Sequence, residues 1–435
     1  LYLMNVGVIG GAGHVGASMA LILANEGNDV VVIDKNTEAL STLKSGQLPY
    51  KEPDGQALLE ESLSQNRLTF TSSFAPLADC DVIVIVVGTP IDEHHNPNIE
   101  PLFEVVESTL EHIGTDQTIL LRSTVYPGTT RIVHSMIEDA GYTVGEDIYL
   151  AFTPERIAQH QAIKEMIELP QLIGAFDDAS YLHAQALFET FLNAECQRLT
   201  PTEAELGKLF TNMWRYISFA IANEFYLITD SIAHRAEVNI HRILEKTSYE
   251  YPRFNVPMPG PNVGGPCLTK DGWFLVDDIP YDDLVSTAYQ INEGMPAQII
   301  QRMSNSTSNP EKVTILGMTY KPGSDDIRNS VAFKLKKQLR IRGYGEPVCI
   351  EPNREEFDDR NNIEGSDWVI LMTPHEEFTS FEQIYEMVDN PNCLYCDIWG
   401  HWEDPKYTSD NGYFFGNEVD MTKGSQTGVV TIEEQ

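Results

Sequence analysis

The chain has 435 residues, of which 42% are hydrophobic, and this size and composition predict a packed globular protein of two or three domains. Its 65 acidic and 29 basic side chains give a formal charge of -36, which excludes nucleic acids and anionic membrane surfaces as partners because like charges repel. No apolar stretch approaches the roughly 18 residues of a membrane span, and residues 1–16 lack the basic start of a signal peptide, so we expect a cytoplasmic protein.

The first predicted elements form a dinucleotide-binding turn. A β-branched run at residues 6–9 is followed by glycines at positions 11, 13 and 16 and then by an apolar helical segment. In this strand–turn–helix context, the glycines allow a tight turn, close approach of a pyrophosphate, and packing of the helix on the strand. A second strand at residues 30–33 ends in Asp34, whose carboxylate can accept hydrogen bonds from both ribose hydroxyls and repels a 2′-phosphate. The segment therefore predicts a site for NAD rather than NADP.

Polar clusters follow the next three predicted strands, which are apolar runs at residues 82–87, 118–121 and 148–152. The clusters are Gly-Thr-Pro at 88–90, Ser-Thr-Val-Tyr-Pro-Gly-Thr at 123–129 and Thr-Pro-Glu-Arg at 153–156. Any one of them could be ordinary turn chemistry. Because open α/β sheets bind ligands at the carboxyl ends of their parallel strands, three clusters in succession predict a site.

A long helix is predicted in the middle of the chain. Thr200 is its expected N-cap, Pro201 lies in the first turn, and Glu203 completes a capping box. The segment continues without proline long enough for a helix of about 35 residues, a length typical of a connector or an oligomer interface. Lys208 and Asn212 lie four residues apart on one face of this helix. Lys208 is either a surface residue with a buried stem or part of a site.

Residues 260–271 are too rich in glycine and proline for regular structure, and they place Cys267 close to Lys270 and Asp271. A neighbouring cation can activate a thiol as a nucleophile. The alternative is an inert, buried cysteine, which is the commoner state of an isolated thiol. The segment therefore marks Cys267 as a candidate nucleophile.

The cysteines give no indication of a metal centre. Cys393 and Cys396 form a CxxC pair, but a zinc site needs two further ligands and the chain has no second pair at a suitable spacing. The apolar residues around the pair predict a buried strand instead. We expect no metal, and we expect all six cysteines to be reduced.

A second α/β series begins with a strand at residues 312–317. Its first turn lacks the GxGxxG pattern, so this half is predicted to bind a nucleotide of another kind, with Lys321 and Arg328 available for phosphate or sugar hydroxyls. Residues 408–435 are predicted to be a loosely ordered tail. The fold class is therefore α/β, with two Rossmann-like doubly wound domains joined by a long central helix and a helical middle domain. Further strands of the second domain are predicted at residues 348–350, 368–372 and 394–398.

The order of these motifs resembles that of the UDP-glucose/GDP-mannose dehydrogenase family along nearly the whole chain. The resemblance implies an NAD-dependent enzyme that oxidises the C6 alcohol of a UDP-sugar to a uronic acid in two hydride transfers, for polysaccharide or glycan precursor synthesis. It also implies an NAD-binding domain at 1–195, a helical dimerisation domain with the cysteine segment at 196–300, and a UDP-sugar-binding domain at 301–435. The most specific segments are residues 123–129, 205–212, 223–224, 264–271 and 316–330.

The resemblance also implies roles for individual residues. Cys267 is the nucleophile that captures the aldehyde as a thiohemiacetal, and oxidation of that adduct gives a thioester. Lys208 and Asp271 handle the proton of the C6 hydroxyl and a neighbouring water. Asn212 joins Lys208 in stabilising the developing oxyanion.

Hydrolysis of the thioester is assigned by the same resemblance to Glu155, which assists the attacking water, and to Thr124, which positions it. A homodimer or higher homo-oligomer is implied, in which Arg253 reaches a sugar site across an interface built on the long helix. The implied NAD contacts are Gly11, Gly13, His14, Val15, Gly16, Asp34, Thr89, Thr124 and Lys270. The implied UDP-sugar contacts are Glu155, Arg156, Lys208, Asn212, Arg253, Asn255, Gly264, Lys321 and Arg328.

Within the family, residues 251–255, 259–261 and 272–274 resemble the UDP-N-acetylhexosamine branch, that of UDP-N-acetylmannosamine dehydrogenase. Pro266 stands where that branch usually has histidine, and Lys270 is more like the UDP-glucose enzymes. A UDP-glucose 6-dehydrogenase is therefore the alternative. Two remoter alternatives are a hydroxyacid or 6-phosphogluconate-type dehydrogenase and a non-catalytic nucleotide-binding scaffold.

Overall fold

The computed structural model describes residues 3–89, 98–233, 235–236, 238–276, 280–307, 309–402 and 411–416. The chain forms two compact units. Unit 1 comprises Leu1–Asn212 and Lys270–Pro280, and unit 2 comprises Met213–Thr269 and Tyr281–Gln435. Within the described ranges, none of the helices combines the length and the apolar composition that a membrane span requires.

Unit 1 contains a sheet of eight strands in the order β3-β2-β1-β4-β5-β6-β7-β8. All neighbouring strands are parallel except β6 and β7. The direction of winding reverses between β1 and β4, the kind of switch point at which open α/β sheets bind ligands. The strands are β1 (Asn5–Ile9), β2 (Asp29–Ile33), β3 (Leu68–Thr71), β4 (Val82–Ile85), β5 (Gln117–Leu121), β6 (Ile148–Phe152), β7 (Gln171–Ala175) and β8 (Cys196–Leu199).

Helices cover both faces of this sheet: α1 (His14–Asn25), α2 (Thr37–Lys44), α3 (Gly55–Ser64), α4 (Glu100–Leu110), α5 (Thr129–Asp139), α6 (Ala162–Glu168) and α7 (Asp178–Phe188). Alternate residues of a strand point to opposite faces. Val84 therefore belongs to the core that contains α1, α6 and α7, and Ile85 belongs to the core that contains α4 and α5. Because both faces are buried, the strands are continuous apolar runs, and the five predicted in this region are all present.

Helix α8 (Pro201–Ala233) has 33 residues and begins at the predicted capping box. Thr200 N donates to Glu203 Oε2 over 2.8 Å, and Glu203 N donates to Thr200 Oγ1 over 3.4 Å. These reciprocal bonds satisfy backbone N–H groups that have no partner within the helix. The helix continues from unit 1 into unit 2, as the predicted central connection does.

Unit 2 contains a second sheet of five strands in the order β10-β9-β11-β12-β13. The first four are parallel, and β13 pairs with β12 in the antiparallel direction. The two parallel-dominated sheets confirm the predicted α/β class with two Rossmann-like parts. The strands are β9 (Val313–Leu316), β10 (Val348–Ile350), β11 (Trp368–Leu371), β12 (Leu394–Cys396) and β13 (Tyr413–Phe415). The remaining α-helices among the described residues are α9 (Ile240–Ser248), α10 (Leu268–Asp271), α11 (Trp273–Val276), α12 (Asp283–Ser306), α13 (Val331–Ile341) and α14 (Phe381–Val388).

The prediction of a loosely ordered tail is wrong for residues 411–416. This part contains β13, an edge strand of the second sheet, and its Tyr413 and Phe414 are buried. Three aromatic residues in a row were the available signal, because aromatic side chains favour strands. The rest of the predicted tail, residues 408–410 and 417–435, lies outside the described residues.

Candidate active site

The glycine turn lies between β1 and α1 in unit 1, and its backbone is packed too closely for side chains. A Cβ atom on Gly11 would lie 2.6 Å from Val8 O, and one on Gly16 would lie 2.4 Å from Gly10 O. Gly13 is exposed at the N-cap of α1, where the N–H groups and the positive dipole end of the helix favour a phosphate. This turn fits the pyrophosphate of a dinucleotide.

Asp34 directly follows β2 and lies beside the glycine turn. Its Oδ2 accepts a hydrogen bond from Ala12 N over 3.1 Å, and its Oδ1 accepts one from Asn36 N over 2.9 Å. The residue is half-buried, and each carboxylate oxygen can accept more than one hydrogen bond. The oriented carboxylate therefore fits the ribose hydroxyls of NAD.

His14 and Val15 form the start of α1, and both are half-buried. His14 Nε2 lies 3.2 Å from Glu52 Oε2, and the His14 ring packs on the Tyr50 ring with 4.4 Å between their centroids. These contacts hold the imidazole at the helix N-terminus, next to the predicted pyrophosphate position.

Three more of the predicted NAD contacts lie together in unit 1. Thr89 Oγ1 donates to Thr124 O over 2.6 Å, which connects the segment after β4 to the segment after β5. Lys270 Nζ donates to Thr89 O over 2.8 Å and lies 5.2 Å from the centroid of the Phe274 ring. The structure thus places Lys270 at the carboxyl ends of two central strands, where a ligand of this sheet is expected.

Lys208 and Asn212 lie one turn apart on α8, and both are nearly buried. Asn212 Nδ2 donates to Asp271 Oδ2 over 2.6 Å, and Asp271 Oδ1 lies 3.8 Å from Lys270 Nζ. Asp271 is fully buried, so its carboxylate depends on such partners to offset the loss of hydration. The fold therefore brings together the Asn212 amide and the Asp271 carboxylate, which are 59 positions apart in the chain.

Glu155 follows β6, and both of its carboxylate oxygens have partners. Arg122, at the end of β5, forms an ion pair with Oε2, while Oε1 accepts hydrogen bonds from Arg156 N over 2.7 Å and Ile157 N over 3.0 Å. The Arg122 side chain is fully buried and also donates to Gln171 Oε1 over 3.2 Å. Arg122 was not among the predicted site residues, although a charged residue directly after an apolar strand was an available signal.

Glu205, also missed as a functional side chain, connects α8 to the start of α5. Its Oε2 accepts a hydrogen bond from Gly128 N over 2.5 Å, and its Oε1 accepts hydrogen bonds from Thr130 N over 2.7 Å and Thr130 Oγ1 over 2.5 Å. Burial raises the pKa of Glu205. Its carboxylate caps the N-terminus of α5, which follows the segment that contains Thr124. Glu205 itself lies one turn before Lys208 on α8. Its hydrogen bonds therefore connect the predicted site segment around Thr124 to the one around Lys208.

Cys267 belongs to unit 2, is exposed, and directly precedes α10. The prediction of irregular structure over residues 260–271 is wrong for the last four, because Leu268–Asp271 form a helical turn. The last proline of the segment is Pro266, and the residues after it are free to adopt helical angles. Cys267 lies within electrostatic range of Tyr320 and Arg328 of the same unit.

Lys321 and Arg328 lie in the segment between β9 and α13. Arg328 forms a bidentate pair with Asp326, with Nε 3.0 Å from Oδ1 and Nη2 2.7 Å from Oδ2, and this hydrogen bonding raises the pKa of Arg328. Gly264 packs against the same segment, since a Cβ atom on it would lie 2.4 Å from Asn329 O. The structure therefore brings Gly264, from the cysteine segment, next to the predicted sugar-binding segment.

Glu351 follows β10 as Asp34 follows β2, but its carboxylate is fully buried. Its Oε2 accepts hydrogen bonds from Met318 N over 2.9 Å and Thr319 N over 3.0 Å and lies 2.9 Å from His375 Nε2. Burial alone would raise the pKa of Glu351, but the hydrogen bonds lower it to about 2. The position that binds a ribose in a dinucleotide domain is therefore occupied by internal contacts in unit 2, as the missing glycine pattern predicts.

Two of the predicted sugar contacts, Arg156 and Arg253, have partners of their own in the structure. Arg156 donates to Pro170 O, and burial lowers the pKa of Arg156. Arg253 Nε donates to Tyr251 Oη over 3.2 Å, and its guanidinium lies 4.7 Å from the centroid of that ring. Asn255 is exposed two residues later.

The CxxC pair lies in the core of unit 2. Cys396 belongs to β12 and Cys393 directly precedes it, and both are buried. None of the six cysteines is in a disulfide. In the part of the chain that the structure describes, no group of three or more histidine, cysteine or acidic side chains has the geometry of a metal site.

Comparison with known proteins gives one family for all three parts of the chain. Models of the UDP-glucose/GDP-mannose dehydrogenase family match as the NAD binding domain at residues 4–192, the central domain at 202–294 and the UDP binding domain at 314–404. The chain is 31% identical to the UDP-N-acetyl-D-mannosamine dehydrogenase of Pyrococcus horikoshii, over 87% of this chain and 91% of that protein. It is 29% identical to the enzyme of the same name from Methanocaldococcus jannaschii, over 86% of both chains. The solved structure of the Pyrococcus protein superposes with a TM-score of 0.80 at 30% identity, covering 88% of this chain and 93% of the other.

Proposed function

We infer the reaction from one premise: this chain belongs to the UDP-glucose/GDP-mannose dehydrogenase family and is an NAD-dependent nucleotide-sugar dehydrogenase. We propose that it oxidises the C6 alcohol of a UDP-N-acetylhexosamine to the carboxylate, for polysaccharide or glycan precursor synthesis. The observation that carries this proposal is an exposed thiol, Cys267, on a segment that packs against the stretch containing Lys321 and Arg328. That stretch lies in the part of the chain that matches the family's UDP binding domain.

Oxidation of an alcohol to an acid removes four electrons, and NAD supplies a two-electron acceptor for each half of the reaction. Lys208 and Asp271 take the proton of the C6 hydroxyl while C6 gives a hydride to the first NAD, which leaves an aldehyde. The Cys267 sulfur then adds to the aldehyde carbon, the thiol proton passes to the aldehyde oxygen, and a thiohemiacetal forms. The same carbon then gives a hydride to a second NAD, its oxygen loses the proton, and a thioester remains. Water adds to the thioester carbon, the C–S bond breaks, and the acid and the thiol are released.

Asn212 and Lys208 stabilise the oxyanion that develops at C6 when sulfur or water adds. Both side chains are nearly buried. A hydrogen-bond donor stabilises a developing negative charge more strongly in a site of low dielectric than in water. The hydrogen bond to Asp271 keeps the Asn212 amide in one orientation, so little reorganisation is needed at the moment of reaction.

Glu155 and Thr124 orient the water that attacks the thioester. Because Arg122 and two backbone N–H groups hold the Glu155 carboxylate, it serves as a fixed acceptor for a hydrogen of that water. Thr124 lies after β5, the strand that pairs with β6 ahead of Glu155. Both residues are thus at the carboxyl edge of the first sheet.

The Cys267→Ser variant tests the thioester route. We expect it to make no acid from UDP-sugar and NAD, while both ligands bind with affinities close to those of the wild type by calorimetry. Cys196→Ser is the matched control, since Cys196 is half-buried on the edge strand β8 and has no proposed role. Acid formation by Cys267→Ser at the wild-type rate would overturn the mechanism.

The sugar is identified by a substrate panel. The relatives from Pyrococcus and Methanocaldococcus are named for UDP-N-acetyl-D-mannosamine, which supports an acetamido sugar here. We expect two NADH per sugar with UDP-N-acetylmannosamine or UDP-N-acetylglucosamine. Turnover of UDP-glucose alone in a panel that also contains GDP-mannose would replace this assignment with a UDP-glucose 6-dehydrogenase.

We propose that the enzyme is a homodimer or higher homo-oligomer whose interface includes the second half of α8. Trp214, Ile228 and Ile232 are exposed on one face of this helix. Beside them is an apolar groove of about 600 Å³ between α8 and α9, and Arg253 stacks on Tyr251 at its edge. A second copy of the chain that covers these apolar side chains explains why they are exposed in a single copy. The groove is lined by Phe225, Ile228, Thr229, Ile240, Ile243, Leu244, Thr247, Tyr251 and Phe254.

Light scattering tests this proposal. The molar mass of the wild type should correspond to at least two chains, and that of Ile228→Glu to one chain. A monomeric wild type overturns the proposal.

We also propose the domain limits 1–195, 196–300 and 301–435 and a cytoplasmic location. The three family matches, at 4–192, 202–294 and 314–404, support the division. The absence of disulfides among the six cysteines supports a reducing compartment.

A further inference from the structure

Asn262 lies in the cysteine segment, five residues before Cys267, and its side chain is buried with several partners in unit 2. Asn262 Nδ2 donates to Thr319 O over 2.8 Å and to Thr373 Oγ1 over 2.8 Å. Asn262 Oδ1 accepts a hydrogen bond from Val331 N over 2.7 Å. The residue is 3% exposed, so these bonds replace the hydration of both ends of the amide.

The partners of Asn262 belong to three different elements of the second sheet and its helices. Thr319 follows β9, Thr373 follows β11, and Val331 is the first residue of α13, whose N–H has no partner within its own helix. β9 and β11 are neighbouring parallel strands. One side chain therefore ties the cysteine segment to the carboxyl edge of this sheet, next to the stretch that contains Lys321.

The chain between Asn262 and Cys267 has little freedom to move. Gly265 N donates to Asn329 O over 3.2 Å, and Gly265 has a φ of +103° with its backbone against the Tyr320 ring. The next residue is Pro266, whose ring restricts φ. A change in the position of Asn262 is thus transmitted to the Cys267 sulfur rather than absorbed on the way.

We propose that Asn262 is a positioning residue for the nucleophile: its amide sets where the Cys267 sulfur lies relative to the sugar-binding stretch that contains Lys321 and Arg328. This inference rests on the proposed function. Capture of the aldehyde requires the sulfur to approach the carbon in a near-attack geometry, and a misplacement of about 1 Å can cost roughly 100-fold in rate. Removing the amide therefore slows capture more than it weakens ligand binding.

The test measures aldehyde capture directly. In Asn262→Ala we expect kcat for acid formation to fall by about 10- to 100-fold, while KM for NAD and for the UDP-sugar changes less than about threefold. We also expect free aldehyde, trapped with a hydrazine, together with more than two NADH per acid formed, because each escaped aldehyde has already yielded one NADH. Alkylation of Cys267 by iodoacetamide should change in rate as well. A merely structural role would lower the melting temperature without releasing aldehyde.

Asn411→Ala is the matched control in the same unit. Asn411 is fully buried, accepts from Ile240 N over 3.1 Å and donates to Tyr226 O over 3.4 Å, so its loss should lower stability and leave kcat and the NADH ratio unchanged. If Asn262→Ala does not fold, Thr373→Val removes only one partner and should still release aldehyde.

The outcomes separate this inference from the proposed function. Wild-type kcat without aldehyde release in Asn262→Ala, beside an inactive Cys267→Ser, overturns the positioning role alone. The same result in Thr373→Val overturns it when Asn262→Ala is unfolded. An active Cys267→Ser overturns the proposed function and this inference with it.

Discussion

Replacement of Arg122 by methionine should destabilise unit 1 strongly, because it leaves the Glu155 carboxylate without its cation. The Arg122 side chain is fully buried and that of Glu155 is 12% exposed, so water can hydrate little of the remaining charge. Breaking one side of a buried ion pair costs about 3–5 kcal/mol, and the lost hydrogen bond to Gln171 adds about 1 kcal/mol. We therefore expect Arg122→Met to lower the free energy of unfolding by at least about 3 kcal/mol.

Arg131→Met is a matched control for this variant. Both guanidinium groups lie 5.4 Å from the centroid of a phenylalanine ring, Phe188 for Arg122 and Phe176 for Arg131. Arg131 is exposed, so its replacement should change the free energy of unfolding by no more than about 0.5 kcal/mol. The difference between the two variants isolates the buried pair from the ring contact.

A double-mutant cycle with Glu155→Gln measures the interaction itself. Urea unfolding at fixed salt concentration gives the four free energies of unfolding. We expect the double variant to lose less stability than the sum of the single losses, by about 1–3 kcal/mol, because removing both partners leaves no unpaired charge. Additive losses, or a loss below about 1 kcal/mol in Arg122→Met, would show that the pair is not what stabilises this edge of the sheet.

Three further predictions concern the backbone, a buried acid and the surface charge. Gly265→Ala should destabilise unit 2 by about 1–3 kcal/mol, because the φ of Gly265 is +103° and the new Cβ would lie 2.7 Å from the Tyr320 ring. The control Gly294→Ala, in α12 with open space around it, should instead raise the melting temperature. Equal shifts in the two variants would contradict this reasoning. Burial raises the pKa of Asp397 to about 6, so the folded protein favours the neutral carboxyl group. The resulting contribution to the stability of the folded state is therefore present at low pH and is lost as the pH rises through about 6. Asp397→Asn should therefore exceed the wild type in melting temperature by more at pH 8 than at pH 5, and a gap that shrinks between these values refutes the argument. The net charge of -36 predicts that the melting temperature rises as KCl increases from about 0.05 to 1 M, because salt screens the self-repulsion of the chain. Over roughly this range the Debye length falls from above 10 Å to 3 Å. A melting temperature that stays flat or falls would exclude adaptation to high salt.

The elements predicted well from sequence are those whose signal is local. The β1–α1 glycine turn and the capping box at Thr200 depend on residues a few positions apart, and the central strands are apolar runs because both sheet faces are covered. Four strands were not predicted: β3, β7, β8 and β13. β7 pairs with β6 in the antiparallel direction, and such a pairing is chosen by the path of the whole chain rather than by the residues of the strand.

The types of residue in the candidate site were also predictable, but their partners were not. The sequence marked Glu155 but not Arg122, which is 33 positions away and holds it. It marked Lys208 and Asn212 but not Glu205, whose contacts lie 75 or more positions earlier. Arg122 and Glu155 meet because the parallel strands β5 and β6 place their carboxyl ends side by side, whereas Glu205 reaches Gly128 and Thr130 from the helix α8.

By itself, the sequence determined the α/β class, the NAD turn and the candidate nucleophile, since these depend on hydrophobic periodicity, glycine spacing and side-chain chemistry along a short stretch of chain. Only the tertiary structure decided which charges are paired, which carboxylates are already occupied, and that a single amide at Asn262 ties the segment before Cys267 to residues 57 to 111 positions further on. Burial and hydrogen-bond satisfaction are properties of the folded chain, because they depend on atoms that come together only when distant segments pack.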